Sequence, residues 1–150
     1  MGSTTLGEIS NAVKDVNAWL KKQKGDSRLL VAEIKNNLIQ LDMVVEHDVS
    51  LKDVLADISI SEYKRLQGEG FNFGSIKKSR IARFKSLEGT DLESWSGKET
   101  EELIGSIYDK TIALKTMFPK LKKSKKIRWN SRAINIRKRI LLLLRHLGSK

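Results

Sequence analysis

The sequence predicts an all-α fold: one domain over residues 1–150, built as an antiparallel bundle of about six or seven helices. Three observations point there. Apolar residues recur at spacings of three and four along most of the chain. Helix start and stop signals fall between those runs. Alternation of strand type occurs only at Asp57 to Ile60, where a capping signal explains it, and no internal repeat is visible.

The first predicted helix carries Ile9, Val13, Val16 and Leu20 on one face, and Gly25-Asp26 ends it. Asp26 or Ser27 is expected to cap a second, central helix. Its stripe is Leu30, Ile34, Leu38, Leu41 and Val45, widened by Val31 and Ile39. Two short cross-connecting helices follow near residues 50–67. The first starts at Ser50, with Asp53 behind it and Val49 as a staple. The second starts at the Ser59–Glu62 box and stops at Gly68 and Gly70.

Phe71 and Phe73 in the turn Gly70 to Gly74 are expected to plug the bundle end. Ser75 is expected to cap a helix from Ile76 to about Leu87, with Ile76, Ile81, Phe84 and Leu87 inward. Ser96 and Glu99 read as a further capping box, opening a helix from Lys98 to Met117 that Pro119 stops. Lys120 to Lys126 is a charged connector. The last helix spans about 127–147, with Ile127, Ile134, Leu141 and Leu144 inward, extended by Ile140 and Leu147.

The chain has no cysteine, which excludes disulfides, thiolate metal sites and cysteine catalysis. No secretory signal is recognisable, and the longest strictly apolar run, Ile140 to Leu144, is far short of the ~20 residues a spanning helix needs. The expectation is a cytoplasmic, soluble protein without metal or organic cofactor.

The net charge of +11 is unevenly placed. Residues 1–70 carry −2, residues 71–88 carry +4, and residues 89–118 carry −3. Residues 119–150 carry +12, with no acid among them. Such asymmetry asks for an acidic partner. A face built only for solubility intersperses both signs, and cations crowding a helix N-terminus oppose its dipole. A polyanion relieves both costs, so nucleic acid, RNA or DNA, is the expected partner of a non-enzymatic accessory protein.

The expected contact residues begin with Lys122, Lys123, Lys125, Lys126 and Arg128 in and after the connector. On the last helix they are Arg132, Arg137, Lys138, Arg139 and Arg145. Trp129 lies among them and can stack on a base. Lys77, Lys78, Arg80 and Arg83, with Lys85, form a second basic helix face. Helix-turn-helix, RRM, KH and zinc-finger signatures are absent, so binding is expected to be directed at phosphates and independent of sequence.

The alternative partner is an acidic protein surface in a larger assembly, or a second copy of this chain meeting the acids of residues 89–102. A basic, leucine-rich amphipathic helix also suits a membrane surface. That use is set aside because Leu141 to Leu144 wrap more than one face.

Other polar groups read as structural. His47 ends its helix, where the dipole favours it. Asp42 and Glu46 share a face but are too few for a metal. Catalytic residues are not assigned. Arg139-x6-His146, however, resembles the Arg-x4–6-His active motif of HEPN ribonucleases, an all-helical family that cleaves RNA at a dimer interface. Ile140 stands where that family commonly has a polar residue. The resemblance implies Arg139 and His146 as the pair to test for RNA cleavage.

Overall fold

In the computed structural model, residues 6–149 are described, with side chains from residue 11 onward; Ile9 and Lys150 therefore lie outside the side chains described. Regular structure among these residues is six α-helices and three short 3-10 turns, without strands. The helices are α1 (Leu6–Lys21), α2 (Gly25–His47), α3 (Leu51–Leu55), α4 (Ser61–Gly68), α5 (Thr100–Leu121) and α6 (Trp129–Gly148). The all-α bundle is thus the observed fold.

The central helix is α6, which packs on α1, α2 and α5. Its buried stripe is Ala133, Ile136, Ile140, Leu143, Leu144 and Leu147, at steps of three and four. This corrects the expected inward face: Ile134 is 39% exposed, and Ile127 and Leu141 are only partly covered. On α2 the buried residues include Leu30, Val31, Ile34, Leu38 and Leu41, while Ile39 is exposed. Burial of each such side chain contributes roughly 1.5–3 kcal/mol.

Capping differs from expectation in instructive ways. The α4 N-terminus is not capped by Ser59. Instead Glu33, buried on α2, accepts from the Glu62 N–H at 2.9 Å and the Tyr63 N–H at 3.4 Å. Its oxygens also accept from Ser59 Oγ at 2.8 Å and from the Tyr108 hydroxyl at 2.8 Å. One carboxylate thereby ties α2, α4 and α5 together. At α5 the capping box is Glu99 with Glu102, three residues later than expected. That helix runs past Pro119 to Leu121, because the missing proline N–H removes a single bond in the last turn.

The expected helix over residues 76–87 does not form. Its apolar positions step by five, three and three, and a step of five turns about 140° off a helical face. The chain makes 3-10 turns at Phe73–Ile76 and Lys85–Leu87, with irregular backbone between. Ile81 pins that stretch: its N–H donates to Lys98 O at 2.9 Å, and its carbonyl accepts from the Gly97 N–H at 2.8 Å. Asn72, not Ser75, caps the first turn by accepting from the Gly74 N–H at 3.1 Å. Phe71 and Phe73 pack edge to face at 5.2 Å, with Phe73 also 5.2 Å from the Tyr63 ring, and both lie against the core.

Candidate nucleic-acid interface

The basic residues of the C-terminal segment separate into two groups by what they touch. Lys120, Lys122, Lys123, Lys125, Lys126, Arg128 and Arg132 are exposed. None of these seven forms an ion pair among the described residues. They cover the last turn of α5, the connector between α5 and α6 and the first turn of α6. Arg128 is the N-cap and supplies no side-chain cap, and the first turn of α6 holds no acid. The dipole and the side chains therefore sum to one positive region.

Further along α6 the bases are engaged by the protein itself. Arg137 was expected on the displayed face, but it is 2% exposed. Its guanidinium donates to Asp42 at 2.8 Å and Glu46 at 3.2 Å on α2. A fully ionised guanidinium enters a core only with such partners. Lys138 bonds Asp91 at 3.0 Å. That bond, with the Lys138 and Arg139 charges, holds the Asp91 carboxyl below its ordinary range. Arg139 is half-buried and donates to Asn135 O at 3.0 Å. Arg145 donates to Ser86 Oγ at 2.7 Å and lies 4.2 Å over the Phe84 ring.

The second basic segment is not a helix face. Lys77 is half-buried and donates to the His146 and Ser149 carbonyls, closing the C-terminus of α6. Burial lowers its pKa. Arg80 donates to Gly97 O at 2.9 Å and reaches Glu99 at 3.5 Å. Arg83 lies near Glu88 and Glu93, at 3.7 and 3.9 Å. Lys78 is exposed. Because Lys77 abuts the end of α6 and Arg128 its start, the two basic segments are separated by about 25 Å of helix. They are not one patch.

Trp129 is half-buried, edge to face with Phe118 at 5.1 Å, and its Nε1 has no hydrogen-bond partner among the described residues. It fastens α6 to α5 instead of standing free for stacking. Arg132 lies 6.0 Å from its ring.

The Arg139–His146 pair is not displayed either. His146 is 1% exposed. Thr100 Oγ1 donates its one proton to Lys77 O at 2.8 Å, so His146 Nε2, 2.8 Å from the same oxygen, must be the donor there. The ring is neutral, with a bare Nδ1 facing no partner. Burial, reinforced by the Lys77 charge, pushes its pKa down to about 4.

Along the α5–α6 seam lies a groove of about 510 Å³. Lys110 and Ala113 of α5 face Arg132, Asn135 and Ile136 of α6 across it, with Lys126 to Arg128 at one end. The Asp42–Arg137 pair was missed in the sequence. A signal was present, since Arg137 interrupts the stripe Ala133, Ile136, Ile140, and Asp42 adjoins Leu41 on the stripe of α2. No family model, curated protein or solved structure matches the chain in comparisons with known proteins.

Proposed function

We propose that this protein binds nucleic acid through the end of α5, the connector at residues 122–128 and the first turn of α6, by phosphate contacts and without sequence readout. One observation carries this reading: seven exposed cations sit together without an acidic partner, while α6's later bases are engaged by neighbouring groups. These like charges repel one another, and Arg128 and Arg132 at the start of α6 also oppose its dipole. Phosphates reverse the sign of both terms and release counterions. No helix among the described residues is long and apolar enough to cross a membrane.

Charge reversal tests the reading. Combining Lys125→Glu, Arg128→Glu and Arg132→Glu is expected to weaken oligonucleotide binding by at least about a hundredfold near 50 mM salt. Lys78→Glu with Arg83→Glu, at the far end of α6, is expected to change it by less than about threefold, since distant charges are screened. Equal losses from both sets would show a diffuse charge effect and refute a localised interface. An acidic protein partner becomes the better reading if neither oligonucleotide nor duplex binds the unaltered protein.

A further inference from the structure

We infer that the groove between α5 and α6 receives an unpaired base, so that the interface prefers single strands to duplex. This rests on the proposed phosphate-directed binding and adds the class of strand. The groove's volume, about 510 Å³, falls in the ~300–1,000 Å³ range of sites that enclose small organic groups. Its surface is graded along its length. The two helices run antiparallel, with Trp129 against Phe118 at the connector end. Lys126, Arg128 and Arg132 therefore gather at that end. Asp109 and Asn135 stand toward the other, with Lys110 beside them.

Between these ends Ala113 supplies apolar surface over a floor made by the buried Ile136, and Ile127 adds to it at the connector end. A phosphate fits the connector end and finds no net positive charge at the other, where Asp109 offsets Lys110. A base has the opposite needs. Its flat faces cover apolar side chains, its ring imide N–H or exocyclic amine can donate to Asp109, and its carbonyls can accept from Asn135 or Lys110. A nucleotide therefore lies in the groove in one sense, phosphate toward the connector and base toward Asp109. In a duplex the bases are stacked and paired, so only phosphates reach the rim. A single strand can turn a base outward without breaking a pair.

The experiment is anisotropy titration of a labelled oligothymidine of about ten nucleotides, a duplex of the same length and inorganic polyphosphate as competitor. The unaltered protein is compared with the charge-neutral variant Ala113→Leu plus Asn135→Leu. Both substitutions suit a helix, and a thermal melt verifies its fold. The expected result is tighter binding to single strand than to duplex, and a loss of about tenfold on single strand alone in the variant.

Equal affinity for both strands in the unaltered protein overturns the inference and leaves the proposed phosphate binding intact. That comparison stands even if the variant does not fold. A loss on single strand and duplex alike in the variant overturns it as well. Absence of binding to every probe at about 50 mM salt overturns both this inference and the reading it rests on.

Discussion

Arg137 and His146 are the two side chains where charge and burial conflict most directly on α6. Arg137 is 2% exposed and answers Asp42 and Glu46. Substitution Arg137→Met keeps the stem and strands two acids, one of them buried, so it should cost about 3 kcal/mol in chemical denaturation. Adding Asp42→Leu should recover part of that loss, because the two substitutions share one interaction. His146 has its pKa pushed down to about 4 by burial and by Lys77. The unfolded chain, with an ordinary value near 6.5, takes up the proton first as pH falls. The neutral ring's contribution is thus complete above about pH 6.5 and declines as pH falls toward 4. Urea midpoints at about pH 7 and pH 5 should differ more in the native protein than in His146→Gln, whose amide can still donate to Thr100. The identity of these residues was plain in the sequence, but their surroundings were not. A basic residue inside an apolar stripe is legible as an ion-pair member only once the helix carrying its partner is known to pack there.

Helices with steps of three and four and a clear stop were legible as elements. Their rotation was less so, because α6 is apolar around much of its circumference. With Leu141 to Leu144 contiguous, the spacing allows more than one inward face: Ile140, Leu144 and Leu147 are inward as expected, but Ala133, Ile136 and Leu143 stand where Ile127, Ile134 and Leu141 were expected. The segment 76–87 does not form the expected helix because its apolar residues anchor separate turns, with Ile81 set by the Gly97–Lys98 backbone. Capping at α4 was hidden for another reason. Its acceptor, Glu33, lies 29 residues before the Glu62 N–H it binds. Substitution Glu33→Ala leaves that N–H, two serine hydroxyls and the Tyr108 hydroxyl without their acceptor. It should cost about 3 kcal/mol or more. Hydrogen exchange at Glu62 and Tyr63 should quicken beyond the change at α5, which distinguishes a lost cap from general loosening.

Across the whole molecule, the sequence placed the positive charge at the C-terminal end but overstated how much of it is displayed. Folding removes Arg137 into the core, ties Lys138 to Asp91 and Arg145 to Ser86, and leaves the connector and the start of α6 as the coherent basic surface. The chain's net charge of +11 is therefore not spread evenly over the surface, and seven cations without an ion pair among the described residues concentrate a local field there. Local fields of this kind make a definite demand on salt dependence. If about five of the seven cations meet phosphates, the logarithm of affinity for a single strand should fall with the logarithm of salt at a slope near −3.5. The most direct measurement is that slope, taken from anisotropy titrations of a labelled single-stranded oligonucleotide between about 50 and 200 mM salt. The account predicts about a hundredfold loss of affinity over that range, with a shallower slope when Arg128 and Arg132 are reversed. A slope near zero, or undetectable binding at the lowest salt, would contradict it.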